Sequence, residues 1–222
     1  MARVLSLALV VAPVVAPVIA FLWTPPAHAD NGSTARVDRT AYMRVFGQAA
    51  PPYGFVQFCE RSPEECAPAA NAIAEGRFNA SAERLAELDE INRVVNTRIE
   101  PATDQELYGV EEYWTLPLNG KGDCEDYALL KRHLLIKRGW PVGSLLMTVV
   151  RDEKGDGHAI LTARTAQGDF ILDNKVPTVK PWHATGYQFI MRQSYLNPRL
   201  WMALDPNEGQ APLAISGLKP RR

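Results

Sequence analysis

The sequence predicts an α+β fold in which helices come first and an antiparallel sheet follows. Residues 81–99 carry apolar residues at helical spacing, a second helix is indicated by its start at residue 123 and its stop at residue 139, and short extended runs after residue 143 are separated by turn-forming residues. The 222 residues, with 46% apolar content, suffice for one folded domain. The formal net charge of -1 gives no reason to expect a nucleic acid as a partner.

The first 29 residues have the pattern of a cleaved export signal. Arg3 provides a positive charge, residues 4–23 are almost wholly apolar, and Ala27-His28-Ala29 supplies small residues at a cleavage site. An uncleaved membrane anchor is the alternative, because the apolar run approaches the length that spans a bilayer. Pro13 and Pro17 interrupt this run and favour cleavage. We therefore expect a periplasmic protein with a signal peptide at 1–29, a domain at 30–205 and a flexible tail at 206–222.

Export also affects how the three cysteines are interpreted. Thiols tend to pair in an oxidising compartment, so an odd number leaves one cysteine unpaired. Cys59 and Cys66 are close in sequence, and Ser62 and Pro63 between them can start a short helical turn that brings the chain back on itself. We expect a disulfide between Cys59 and Cys66, which leaves Cys124 as a free thiol.

The two predicted helices are bounded by residues that commonly start or end helices. The first covers residues 81–99, and its apolar positions recur at steps of three and four: Leu85, Leu88, Ile91, Val95 and Ile99. The second extends from about Asp123 to Arg138, with Asp123 as the N-cap and Gly139 as the stop. Cys124 therefore lies in the first turn of the second helix.

Four extended runs follow the second helix. They cover residues 144–150, 158–164, 169–174 and 187–192. If residues 165–168 form the loop between the second and third runs, Arg164 faces Asp169, and His158 and Asp173 share a face on a diagonal. A two-residue loop would place His158 and Asp173 directly opposite each other. Either register brings the carboxylate beside the imidazole.

A cysteine in the first turn of a helix is well placed for nucleophilic chemistry. The helix dipole and the unpaired N–H groups favour the thiolate, although a buried structural cysteine can occupy the same position. Nucleophilic catalysis also needs a nearby histidine and a group that orients it. His133 lies on the opposite side of the same helix, and His183 has no carboxylate close in sequence. His158 and Asp173 fit these roles, unless they are an ordinary sheet histidine and a surface carboxylate.

The chain resembles the bacterial transglutaminase-like cysteine proteinases in three segments, GKGDCEDYALLKRHLL, GDGHAIL and FILDNK. The likeness extends over residues 51–196 and includes INRVVN, YGVEEYW and FCERSPEEC. It implies a papain/transglutaminase-like fold with the nucleophile at a helix N-terminus packed on an antiparallel sheet. It also implies a cysteine peptidase that cleaves a protein substrate through an acyl-enzyme, with Cys124, His158 and Asp173 as the catalytic triad.

The resemblance further implies a substrate, a metal and a partner. Similar proteins cleave large surface adhesins that control biofilm attachment, and an inner-membrane receptor that senses a cyclic dinucleotide holds them. Acids that flank the cysteine bind calcium in such proteins, and the matching positions are Asp123 and Glu125. The same acids can instead serve only to cap the helix and complement its dipole. We do not expect zinc, because no second cysteine or close histidine pair accompanies Cys124.

Two other functions stay open from the sequence. The same triad can pass the acyl group to an amine, as a transglutaminase does, or the fold can serve as a non-catalytic module that binds peptides. The backbone N–H of Cys124 is a candidate oxyanion donor. Trp114 is either a wall of the site or part of the core.

Overall fold

The large antiparallel sheet expected from the sequence is present and has seven strands. The computed structural model describes residues 41–68 and 77–207. The strand order in the sheet is β1-β9-β8-β4-β5-β6-β7, and all neighbouring strands are antiparallel. The strands of this sheet are β1 Gly47–Ala49, β4 Leu145–Arg151, β5 Gly157–Thr165, β6 Gly168–Leu172, β7 Lys180–Pro181, β8 Gln188–Gln193 and β9 Trp201–Ala203. Two further strands, β2 Glu100–Pro101 and β3 Lys121–Gly122, form a small parallel sheet.

Besides the short helix α3 Asp104–Tyr108, three helices pack on one face of the large sheet. They are α1 Tyr53–Arg61, α2 Ala82–Arg98 and α4 Cys124–Lys137. The main core joins buried residues of these helices to alternate residues of the central strands, such as Met147 of β4 and Leu161 of β5. A smaller apolar cluster around Ile160 and Ile171 covers the other face. This arrangement confirms the prediction of a mixed fold of helices and an antiparallel sheet.

The two long helices lie where their sequence patterns predict them. Ser81 caps α2, because its side chain accepts a hydrogen bond from the backbone N–H of Arg84. Gly139 follows α4 with a φ of +85°, a conformation that favours glycine. Asp123 occupies the N-cap position of α4, as predicted, but its side chain makes no capping hydrogen bond. Its carboxylate instead accepts a hydrogen bond from the backbone N–H of Asp104 at the start of α3.

The register between β5 and β6 decides the placement of two site residues. Arg164 faces Asp169, so His158 and Asp173 lie on a diagonal of one sheet face, as expected. Only residues 166–167 form the loop, because Thr165 and Gly168 themselves pair. The expectation that a two-residue loop would place His158 opposite Asp173 was therefore wrong.

The predicted disulfide between Cys59 and Cys66 is present, and Cys124 is the free cysteine among the described residues. Residues 63–66 form a short 3-10 helix that begins at Pro63. Glu65 in this turn lies 2.6 Å from the ring of His133, which fixes the disulfide loop to α4. His133 is therefore occupied away from Cys124.

Trp114 belongs to the core and is not a wall of the site. Its side chain is fully buried, and its ring contacts those of Phe55 and Trp201 at centroid distances of 5.6 and 6.4 Å. None of the helices in the described ranges is long and apolar enough to cross a membrane. The signal peptide expected at 1–29 and residues 208–222 of the expected tail lie outside the described residues.

Replacing both disulfide cysteines, Cys59→Ala with Cys66→Ala, should lower the free energy of unfolding by about 2–3 kcal/mol. The crosslink closes a short loop and so reduces the conformational entropy of the unfolded chain, which favours the folded state by this amount. Urea unfolding followed by circular dichroism measures the change, and Cys124→Ala serves as the control. Equal stability of the double variant and the wild-type chain would contradict this prediction.

Candidate active site

Cys124 lies at the junction between α4 and the large sheet. It is the first residue of α4, and its sulfur accepts a hydrogen bond from the backbone N–H of Ala159 in β5, at 3.4 Å. β6 pairs with β5 only as far as Leu172 opposite Leu161, so the edge of β5 is open beyond that point. The sulfur therefore contacts β5 just past the end of β6.

His158 and Asp173 are hydrogen-bonded to each other at the same edge. Nε2 of His158 donates to Oδ1 of Asp173 at 2.9 Å, and both side chains are almost fully buried. His158 immediately precedes Ala159, whose N–H contacts the sulfur of Cys124. Because Asp173 engages Nε2, Nδ1 is the ring nitrogen available for proton exchange with Cys124.

Asp173 is held by more than its histidine. The hydroxyl of Tyr187 donates to Oδ2 of Asp173 at 2.6 Å, and the backbone N–H of Lys175 donates to Oδ1 at 2.9 Å. Burial alone would raise the pKa of Asp173, but the hydrogen bonds and the charge of His158 outweigh it and hold this pKa below its usual value. The carboxylate is therefore ionised and fixed in orientation at neutral pH.

A cavity of about 580 Å³ opens beside these groups. Cys124 and His158 both line it, and the described residues show no direct hydrogen bond between the two. Its other walls come from the start of α3, the small parallel sheet and the segment after Asp173, including Ala102, Gly122, Gly157 and Asn174. A molecule bound in this cavity would contact both the sulfur and the imidazole.

The thiol of Cys124 is engaged by a neighbouring acid. Its sulfur donates to Oε2 of Glu125 at 3.1 Å. Burial raises the pKa of the Cys124 thiol well above its usual value, and the negative charges of Glu125 and Asp123 raise it further. Burial and the carboxylates therefore oppose the stabilisation of the thiolate that the helix start provides.

The acids beside Cys124 form a cluster that includes one residue absent from the sequence prediction. Asp123 and Glu125 were expected to lie together, and Asp104 of α3 joins them. One oxygen from each of the three lies within 4.8 Å of the others. Burial, and then the charge of Asp123, raise the pKa of Asp104 to about 6. No periodic pattern marks Asp104, since α3 has only five residues.

Several oxygens of these acids are buried without a hydrogen-bond partner. They are Oδ1 of Asp104, Oδ1 of Asp123, Oε1 of Glu125 and Oδ2 of the adjacent Asp126. Burial raises the pKa of Asp126 to about 8, against a hydrogen bond from the backbone N–H of Thr115. Buried carboxylate oxygens are normally paired with donors or cations. The cluster therefore has the oxygen ligands that a hard cation prefers.

The comparison with protein families identifies the chain. Residues 45–209 match the family described as bacterial transglutaminase-like cysteine proteinase BTLCP. The chain belongs to this family. It is therefore a cysteine proteinase, as the sequence resemblance implied. No match was found among curated proteins.

Solved structures of LapG from Legionella pneumophila are similar to part of this proteinase. The calcium-bound LapG has a TM-score of 0.47 and 23% sequence identity, and the likeness covers 56% of this chain and 71% of that chain. A second LapG structure has a TM-score of 0.46 and 25% identity, and covers 53% of this chain and 68% of that chain.

Tyr187→Phe should lower the free energy of unfolding of the proteinase by about 2 kcal/mol. The change removes a hydrogen bond to an ionised carboxylate, which typically contributes about 1.5–3 kcal/mol. Tyr53→Phe is the matched control, because Tyr53 is 71% exposed and its hydroxyl contacts only Gln57 among the described residues. Urea unfolding of the two variants checks the prediction, and equal losses would refute the role of Tyr187 in holding Asp173.

Proposed function

We propose that this proteinase hydrolyses a protein substrate in the periplasm through a triad of Cys124, His158 and Asp173. The observation that carries the proposal is that Cys124 and His158 line one cavity while Asp173 holds the far nitrogen of His158. These are the three roles of a nucleophile, a general base and an orienting group. The arrangement at a helix start beside an antiparallel sheet supports the papain/transglutaminase-like fold class.

The proposed reaction has two halves. Nδ1 of His158 takes the proton from the sulfur of Cys124, and the thiolate attacks the peptide carbonyl carbon. His158 then passes that proton to the leaving amine as the C–N bond breaks, which leaves a thioester on Cys124. Water gives a proton to His158 and attacks the thioester, which releases the acid and restores the thiol. The backbone N–H of Cys124 is the proposed donor to the oxyanion.

Asp173 acts on this reaction through His158. Its hydrogen bond to Nε2 selects the tautomer whose Nδ1 can accept a proton, and it stabilises the imidazolium between the two proton transfers. Tyr187 and the backbone N–H of Lys175 hold the carboxylate in place for this purpose.

The location and the natural substrate are further parts of the proposal. The disulfide between Cys59 and Cys66 suits an oxidising compartment and supports the periplasm. We propose a large surface adhesin as the substrate and an inner-membrane receptor as the regulatory partner, both on the ground of the sequence resemblance.

Protein hydrolysis is tested by incubating the proteinase with fluorescently labelled casein and a dye-labelled primary amine. We expect shorter casein fragments with new N-termini in mass spectra, and no dye on casein. Cys124→Ala and His158→Ala should each reduce cleavage at least about a thousandfold, because triad members act as a unit. His183→Ala is the matched control, since His183 is exposed and is not among the residues that line the cavity.

The other outcomes of this experiment separate the alternative functions. Dye attached to casein in place of cleavage would indicate acyl transfer to an amine. Casein bound but left intact, equally by the wild-type chain and by Cys124→Ala, would indicate a peptide-binding module.

We also propose that Asp104, Asp123 and Glu125 bind a calcium ion. Each of the three has a buried oxygen without a hydrogen-bond partner, and one carboxylate oxygen from each lies within 4.8 Å of the others. Carboxylate oxygens are the ligands that calcium prefers. A bound ion would supply positive charge against the acids that flank Cys124, which otherwise oppose ionisation of the thiol.

Calcium should raise the melting temperature of the proteinase by several degrees relative to EGTA. An ion that binds the folded chain but not the unfolded chain raises the free energy of unfolding by about 2.7 kcal/mol when its concentration is a hundred times its Kd. Asp104→Asn should abolish the increase, whereas Glu100→Gln, an exposed acid outside the cluster, should retain it. Differential scanning fluorimetry measures the melting temperature of each variant with calcium and with EGTA. A calcium-dependent increase in melting temperature that persists in Asp104→Asn would place calcium elsewhere.

A further inference from the structure

Two asparagines of α2 hold the backbone of the loop that follows β6. They are the asparagines of the INRVVN segment, and their spacing of four residues puts them on one face of the helix. The amide of Asn96 donates to the backbone carbonyl of Asp173 at 2.8 Å and to that of Val176 at 3.4 Å. The amide of Asn92 donates to the carbonyls of Val176 and Pro177 at 2.9 and 3.1 Å. Successive turns of α2 therefore fix the path of residues 173–177.

The same face of α2 also reaches the far end of this loop. Asp89 lies about one helical turn before Asn92, and its Oδ1 accepts a hydrogen bond from the backbone N–H of Val179 at 2.8 Å. Strand β6 ends at Leu172 and β7 begins at Lys180. Side chains of α2 therefore hold the loop along its length between the two strands.

Stability alone does not explain asparagine at these two positions. Asn92 is fully buried, and Leu88 and Val95 beside it on α2 belong to the main apolar core. Among the described residues, Oδ1 of Asn92 and Oδ1 of Asn96 are buried without a hydrogen-bond partner. Burial of an amide oxygen without a donor costs free energy. The hydrogen bonds that these amides donate to the loop are the reason for their presence.

The first residues of the loop belong to the active site. Asp173 is the carboxylate of the triad, and Asn174 and Lys175 line the cavity. The backbone N–H of Lys175 donates to Oδ1 of Asp173, the same oxygen that accepts from His158. A displacement of the backbone at Asp173 would therefore move the carboxylate relative to the imidazole and change the wall of the cavity.

We propose that Asn96 is a positioning residue for the triad: through the backbone carbonyl of Asp173 it fixes the carboxylate that orients His158. The inference rests on the proposed function, because the place of Asp173 matters to the reaction only if His158 takes the proton of Cys124. Asn92 binds the same loop at Val176 and Pro177 and makes no hydrogen bond to Asp173. The two asparagines therefore separate a positioning role from a structural one.

The test compares Asn96→Leu with Asn92→Leu in the full chain, because leucine has nearly the shape of asparagine but no N–H. Two quantities are measured for each variant: the rate at which iodoacetamide alkylates Cys124 at pH 6 with calcium, and the free energy of unfolding in urea. Asp173→Asn and His158→Ala are the reference variants for loss of the triad.

We expect Asn96→Leu to be alkylated at least about threefold more slowly than the wild-type chain, a loss that the energy of one hydrogen bond accounts for. Asp173→Asn should slow alkylation at least as much, because it favours the wrong tautomer of His158. Asn92→Leu should lose at least as much stability as Asn96→Leu, since Asn92 is fully buried, and should keep a rate close to that of the wild-type chain.

The other results overturn the inference in distinguishable ways. A wild-type rate in Asn96→Leu, together with a slow Asp173→Asn, would remove the role of Asn96 and leave the triad intact. A greater loss of rate in Asn92→Leu than in Asn96→Leu, or faster alkylation as the thiol becomes exposed, would show that Asn96 is only structural. Wild-type rates in both His158→Ala and Asp173→Asn would contradict the triad and the inference with it. Asn96→Ala replaces Asn96→Leu if that variant does not fold, and the same slower alkylation is expected from it.

Discussion

The hydrogen bond from the backbone N–H of Ala159 to the sulfur of Cys124 joins the first turn of α4 to strand β5. The strand then places the other two groups, since His158 precedes Ala159 and the β5–β6 register brings Asp173 onto the same face. A helix displaced by one turn, about 5.4 Å, would lose this contact and separate the sulfur from the imidazole. The geometry of the site therefore depends on how one helix end meets one strand edge.

The second feature of the site is an accumulation of buried negative charge. Asp104, Glu125 and Asp126 are fully buried next to Cys124, and burial together with mutual repulsion raises their pKa values. Such a cluster destabilises the folded chain unless protons or a cation neutralise it. A cation bound at the cluster would neutralise part of this charge.

The parts of this structure that the sequence predicts are those determined by short-range patterns. The spacing of Leu88, Ile91 and Val95 marks α2, and the turn between β5 and β6 limits the register enough to place Asp173 beside His158. The roles of Asp104 and Tyr187 could not be predicted, because contacts distant in sequence bring them to the site. The short elements β1 and β9, Gly47–Ala49 and Trp201–Ala203, have no periodicity and form where β9 pairs with β8 and β1 pairs with β9.

The most direct measurement of the central claim is the rate at which iodoacetamide alkylates Cys124 at pH 6 in the presence of calcium, followed by mass spectrometry. With the triad as described, Cys124 is modified at least about ten times faster in the wild-type chain than in His158→Ala, because the imidazole takes up the thiol proton. Cys59 and Cys66 stay unmodified in their disulfide. Equal rates in the two proteins, both as slow as an ordinary thiol below its usual pKa of about 8.5, would contradict the pairing of Cys124 with His158 and with it the proposed mechanism.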